Sequence, residues 1–509
     1  MTVLPGRVCI IGAGPGDPRL IAARGVQLLA AADVVVYDRD AERLLRWARP
    51  DAERLEVGAP AERDTAQDAI SMLLAEKARD GLTVARLKWG DAFVFDSGAK
   101  EALFLHEQGV PFEIVPGVPP ATGATAYAGI PVTYPGGPDA LVLLRGSEGE
   151  ADDPPDIDWS ALARLEATIA VHATGRLAAT ILRRLVDHGL PPERPAAWVL
   201  QATLPTQQTL TGTAAELAEE TAASGGTSPG MLVVGDVANL RTHLRWFDER
   251  PLFGRRIVVT RSREQAGELC EALENLGAQA IEARTFTLAA PDDPEAVDRA
   301  AASANTYSWI VFESANAVDR FLGALSRGPR DFRALGGVSL CAIGPSTGER
   351  LSARGFRPDV VIPELRAEGV ADTIEAIRPM AGQRVLVVRP DYFRDVLASE
   401  LNRRGALVTD LVAYQTSPES PDTPAAQELY RRLLDGAIDA VTFTSPTGLS
   451  RFVDLFGREQ AVDLLNTTVV AAIGPVTAAA AAELGIRTPI VPETYTVEGL
   501  VRRIVEHFA

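Results

Sequence analysis

Short apolar runs alternate with amphipathic stretches through the second half of the chain, and the alternation is written twice. Ile257-Val258-Val259 precedes a helical pattern through Leu269, Leu273 and Leu276 that Gly277 closes; Val385 to Val388 precedes Leu397 and Leu401, closed by Gly405. Strand, helix and glycine stop in that order predict βαβ units around a parallel sheet. Val469 to Ile473 predicts a buried strand, Gly474-Pro475 breaks it, and Thr477 opens an alanine-rich helix. The repeat is explicit in three blocks. GRRIVVTR from Gly254 returns from Gly382, WIVFESAN from Trp309 returns as AVTFTSPT from Ala440, and CAIGPST from Cys341 returns as AAIGPVT from Ala471, at offsets of 128, 131 and 130. Solenoid units run roughly 20–50 residues. A period this long is a duplicated domain, and two similar domains can face each other across a cleft. Ligands of open parallel sheets sit at the carboxyl ends of the strands, which singles out Glu313-Ser314, Thr444-Ser445, Ser346-Thr347 and Thr477.

The first half follows a different plan. GAGPGDP from Gly12 to Pro18 follows a strand directly, but the third glycine of a dinucleotide fingerprint is replaced by Asp17, with prolines at 15 and 18. As a Rossmann signal it is weak. Asp33 to Asp38 and Val84 to Leu87 predict further strands. Glycines at 117, 129 and 136 punctuate a turn-rich stretch, and the acidic segment Glu148 to Asp158 predicts a linker between two lobes. A second αβ lobe ends in Met231 to Gly235, and Arg250 to Gly254 joins the halves.

With about 150 residues per domain as a prior, 509 residues predict three or four domains. A 46% apolar and 23% charged composition is that of a soluble globular protein. There is no long apolar run, and the chain enters a strand at Arg7 without a signal peptide, so a cytoplasmic location is expected. Cys9, Cys270 and Cys341 lie in or beside apolar runs without metal spacing, which predicts reduced core residues and no metal site. A net charge of −18 argues against nucleic acid and anionic membranes, leaving small molecules as partners.

The motifs now carry family resemblances. Val259 to Arg261, Phe312 to Asn316, Ile343 to Pro345, Tyr414 to Thr416, Phe443 to Pro446 and Ile473 to Thr477 make residues 254–509 resemble uroporphyrinogen-III synthase. Gly12 to Pro18, Tyr37 to Arg39, Val115 to Gly117, Ala128 to Pro131 and Ser228-Pro229 make residues 6–248 resemble the uroporphyrinogen-III C-methyltransferases of the tetrapyrrole methyltransferase fold. The resemblances imply an α/β protein: a two-lobed methylase-like domain over 1–248 (lobes about 1–147 and 159–248), then two duplicated flavodoxin-like parallel-sheet lobes over 254–509. The first of these comprises about 254–287 plus 417–509, with the second, about 292–411, inserted.

The synthase resemblance implies a cofactor-free cyclisation of hydroxymethylbilane, a linear tetrapyrrole with eight carboxylates, with inversion of its last ring. Tyr414 matches the family's catalytic tyrosine, a proton donor to the departing hydroxyl. Arg261, Ser314, Thr347, Ser445 and Thr477 match substrate-binding positions. On the residues alone, the serines and threonines are equally N-caps and Tyr414 a strand residue. Glu313 stands where the family commonly has threonine; a carboxylate beside an octacarboxylate is awkward, so Glu313 is expected to point away. The methyltransferase resemblance implies S-adenosylmethionine, with Gly12, Gly14, Gly16, Asp17, Gly90 and Asp91 as vestigial cofactor positions. Its ligand loops are altered: Trp89 replaces a glycine, Ser97 the arginine that grips the tetrapyrrole, Lys100 the catalytic glutamate, Pro135 a second arginine, and Pro119-Pro120 a Thr-Ser pair. Three functions stay open: a synthase with an inactive methylase-like domain, a bifunctional enzyme making precorrin-2, and a non-catalytic tetrapyrrole sensor. A sensor needs an output module, and no basic helix-turn-helix pattern follows Val501. Hydroxymethylbilane synthase and a second copy docked through the N-terminal domain are the candidate protein partners.

Overall fold

In a computed structural model the described residues are 6–57, 63–146, 153–223, 229–260, 263–283, 286–362, 367–391, 396–487 and 489–509. Contacts divide the chain into two compact units: 1–257 with 269–281 and 501–509, and 258–268 with 282–500.

Unit one begins with a wholly parallel sheet. Strands β1 (Arg7–Gly12), β2 (Val34–Asp38), β3 (Glu53–Val57), β4 (Thr83–Lys88) and β5 (Phe112–Val115) take the order β3-β2-β4-β1-β5. Parallel strands are covered on both faces and therefore read as continuous apolar runs; Val8 to Ile11 and Val34 to Val36 are fully buried. A second, mixed sheet orders β6 (Ala140–Leu144), β7 (Ala167–Thr174), β8 (Pro195–Leu200), β9 (Gln208–Thr213) and β10 (Pro229–Val234) as β6-β7-β10-β8-β9, with only β6 and β7 parallel.

The strands of the duplicated half are β11 (Arg256–Val259), β12 (Gln279–Glu282), β13 (Phe286–Ala289), β14 (Trp309–Phe312), β15 (Ser339–Ile343), β16 (Val360–Ile362), β17 (Arg384–Pro390), β18 (Leu407–Pro418), β19 (Ala440–Phe443) and β20 (Val469–Ala472). They form a four-stranded sheet, β12-β11-β19-β20, and a six-stranded sheet, β13-β18-β17-β14-β15-β16. In the six-stranded sheet β14 to β18 are parallel, and β13 runs antiparallel to the last residues of β18. Side chains alternate between its two faces. Ile310, Phe312, Leu386, Val388 and Tyr414 enter one core; Trp309, Val311, Val385 and Val387 enter the other. The repeat persists in backbone detail. Ser314 has φ −159° and ψ 157°, and its mate Ser445 has φ −159° and ψ 152°. It lapses at the glycines before the next pair of helices, where Gly344 takes φ +88° and Gly474 an extended −165°.

Candidate functional site

The best-defined polar pair stands at the carboxyl end of the six-stranded sheet. After β14 the chain turns directly into the helix Ala315–Arg327, and Ser314 caps it, its Oγ accepting from the Ala317 N–H at 3.2 Å. A serine is favoured there because its oxygen satisfies an amide the helix leaves unpaired. The same Oγ lies 3.0 Å from the Tyr414 hydroxyl. Tyr414 is 1% exposed on β18, just past a register shift at Arg389/Pro390 that moves pairing from Val412 to Tyr414. The bulge aims the phenol at the turn following β14 while its ring stays with Phe312 and Phe321 in one core. Cap, ligand and strand readings are therefore compatible: Ser314 is a cap whose oxygen is shared with a buried phenol, and Tyr414 is a strand residue.

Arg389 and Asp410 join at the same end of the sheet. The guanidinium grips the Asp410 carboxylate with Nε and Nη2, each at 2.7 Å, and Nη1 donates to the Pro390 carbonyl at 3.1 Å. Glu313 is 6% exposed beside them. Burial pushes its carboxyl up to about 7; Arg389 pulls it down and Asp410 pushes it further up. Among the described residues its Oε2 has no hydrogen-bond partner. Neither Arg389 nor Asp410 is among the site residues expected from the sequence. The signal for Arg389 was present, since it occupies the place of Arg261 in the second copy of the first repeated block.

Ser445 repeats the cap of Ser314, accepting from the Gly448 N–H at 3.0 Å. Thr347 and Thr477 are third residues of the helices Pro345–Ala353 and Pro475–Leu484 and are 2% and 3% exposed. Thr442 and Thr260 cross-link the strand ends beneath Ser445, each hydroxyl donating to a backbone carbonyl, of Val258 at 3.0 Å and Thr442 at 2.7 Å respectively. Arg261 lies outside the described residues. Ser314 and Tyr414 are thus brought into contact, while Thr347, Ser445 and Thr477 stand each at its own helix start.

In unit one the glycine loop is drawn tight. Gly14 and Gly90 exchange backbone hydrogen bonds at 3.0 and 2.9 Å, and a Cβ on Gly12 would fall 2.4 Å from the Gly117 nitrogen. Gly16 lies against Thr203, whose Oγ1 would be 2.9 Å from an added Cβ. Asp17 is buried and fully engaged: its carboxylate takes the Arg19 guanidinium and the Tyr127 hydroxyl at 3.0 Å. Burial alone would raise this carboxyl, yet Arg19 and Tyr127 hold it below the usual carboxylate range. Asp91 accepts from the Gly117 and Phe93 N–H groups, each at 2.8 Å.

The altered residues crowd this place. Pro120 packs onto Gly90, where a Cβ would meet its Cδ at 2.8 Å. The Trp89 indole lies 4.6 Å, centroid to centroid, from the His172 imidazole of β7, which burial pushes down to about 4 and so keeps neutral. Beneath them Lys88, 2% exposed, spends its three donors on Asp96, Ser97 and Glu101 at 2.9, 2.8 and 3.2 Å. Arg86 is engaged by Asp38 and Glu101 at 2.7 and 3.3 Å. Lys100 is exposed.

Residues 267–502 match the family described as uroporphyrinogen-III synthase HemD, and residues 7–218 match the tetrapyrrole (corrin/porphyrin) methylases. The chain is 30% identical over 507 residues to the porphyrin biosynthesis protein HemD of Ruminiclostridium josui, covering 98% of both chains. It belongs to this family of fused methylase and synthase domains. Two other relatives cover less of the chain. A uroporphyrinogen-III C-methyltransferase of Bacillus subtilis (strain 168) is 33% identical over 75% of this chain and 78% of its own length. A sirohaem synthase of Neisseria meningitidis serogroup C (strain 053442) is 43% identical over 48% of this chain and 50% of its own. Among the described residues of the fusion no helix is long and apolar enough to cross a membrane, and no group of His, Cys, Asp or Glu could hold a metal ion.

Proposed function

We propose that this chain is a working uroporphyrinogen-III synthase, cyclising hydroxymethylbilane with inversion of its last ring, and that its methylase domain is a scaffold without methyl-transfer activity. The observation that carries the synthase reading is the buried Tyr414 hydroxyl held 3.0 Å from Ser314 Oγ at the carboxyl end of a parallel sheet. A phenol fixed there can donate its proton as the substrate C–O bond breaks, so that the hydroxyl leaves as water and the chain ends close. Curling the linear substrate is an entropic task worth several kcal/mol, which a protein performs by holding its parts in place. Amides at the starts of the helices at Pro345 and Pro475, with Thr347 and Thr477, suit the carboxylates. This step calls for no cofactor.

The scaffold reading rests on how the methylase residues are used. The buried cations at the end of β4, Arg86 and Lys88, are neutralised by the buried Glu101 and the half-buried Asp38 and Asp96 and offer no charge to a tetrapyrrole. Trp89 and Pro120 occupy space beside Gly90 that the family leaves to glycine and small hydroxyl residues. These residues do not fit S-adenosylmethionine. The second reading, a bifunctional enzyme that also methylates, is favoured by the intact packing of Gly12 on Gly117 and Gly14 on Gly90 and by the methyltransferase relatives. Calorimetry separates the two: the purified chain should give no heat with S-adenosylmethionine at tens of micromolar, whereas saturable micromolar binding would favour the bifunctional enzyme.

A further inference from the structure

Glu313 breaks the repeat: its mate is Thr444, and no other carboxylate occupies a position of the repeated serine motif. It is buried, with Oε2 unpartnered among the described residues. Among the described residues the charged groups that face it are Arg389 on β17 and Asp410 on β18, and Arg389 is already committed to Asp410 through two hydrogen bonds. Its own backbone N–H donates to the Val388 carbonyl at 3.1 Å, and the next residue is Ser314, whose Oγ is shared between the helix cap and Tyr414.

We propose that Glu313 is a positioning residue for the Ser314–Tyr414 pair: as a neutral carboxyl it stays buried and holds the turn after β14, and on losing its proton it draws Ser314 away from Tyr414. A buried carboxylate with an unsatisfied oxygen is costly, and it must either take Arg389 from Asp410 or carry its turn towards water. Arg389 is held by two charge-assisted bonds, which are the stronger kind; the turn beside Glu313 is tied to β17 by one neutral backbone bond. The turn is therefore the softer element. Burial sets this ionisation near neutral pH.

The inference rests on the synthase reading of Tyr414, and its test keeps the two apart. Ring closure and amide hydrogen exchange across residues 313–320 are measured on the full chain from about pH 5.5 to 8.5, for the parent, Glu313→Gln and Glu313→Thr. The parent rate should fall about tenfold per pH unit once Glu313 ionises, and exchange at Ala317 should accelerate beyond its intrinsic pH dependence. Both variants should lack these responses. A parental pH limb that persists in both, or exchange that is the same in all three proteins, overturns the proposal. If no ring closure occurs at all, the synthase reading falls and the exchange comparison alone decides the role of Glu313.

Discussion

Replacing Tyr414 by phenylalanine isolates one oxygen atom. The ring is 1% exposed and packs with Phe312, Phe321, Leu386 and Val388, and phenylalanine keeps all of that contact. The loss includes the hydrogen bond to Ser314 at 3.0 Å. A net bond of this kind is worth about 0.5–1.5 kcal/mol, and Ser314 Oγ still accepts from the Ala317 N–H, so its oxygen is not stranded. Folding should therefore suffer by about 1 kcal/mol. Catalysis should suffer far more, because a positioned proton donor contributes about 10²–10⁴-fold, or about 3–5 kcal/mol of barrier. The assay is the initial rate of type III uroporphyrinogen formation from hydroxymethylbilane, with urea unfolding of both proteins as the control. A well-folded Phe variant that turns over at the parental rate removes Tyr414 from the mechanism.

Glu313→Gln should stabilise the protein at neutral and higher pH. The folded carboxyl is raised from 4.5 to about 7, so the native state binds more protons than the unfolded one across that window. Its contribution is intact below 4.5 and is lost as pH rises to about 7. A shift of about 2.5 units corresponds to about 3 kcal/mol, which the urea midpoint of the segment 309–343, followed by pulsed hydrogen exchange, should register as a gap between parent and variant that grows with pH; a constant gap refutes the ionisation. Trp89→Gly should leave S-adenosylmethionine unbound at tens of micromolar by calorimetry and restore no methylation, because Pro119-Pro120, Ser97 and Lys100 remain; methylated product from this single change would show that the indole was the sole block. Ser445→Ala removes a cap and should cost about 1 kcal/mol in unfolding free energy; a value near zero would mean the Gly448 amide finds another acceptor.

Local signals carried much of the fold into the sequence. Val385 to Val388 and Val469 to Ile473 are unbroken apolar runs, which is how a strand covered on both faces must read; the first lies within β17, and the second is a strand up to Ala472. The caps at Ser314 and Ser445 were legible as residue types but not as roles, since the oxygen that caps a helix is also the one that meets Tyr414. That contact joins residues 100 positions apart and depends on a register shift that no local pattern announces. Charges were the harder case. Val84 to Leu87 reads as a strand, but nothing local shows that its Arg86 and the adjoining Lys88 are both buried. Burial of such residues is decided by partners, Asp38, Asp96 and Glu101, that arrive from other elements. Trp89 was legible as an intruder in a glycine position; that it would rest on His172 of the other sheet was not.

One half of the chain is active and the other silent, and a single reaction tests both. The purified full chain is given hydroxymethylbilane with and without S-adenosylmethionine, and the product is identified by isomer separation and mass. The expected product is type III uroporphyrinogen, identical in the two reactions and free of added methyl groups. Type I product alone, as from unassisted closure, would contradict the synthase assignment, and precorrin-2 in the reaction containing S-adenosylmethionine would contradict the silent half.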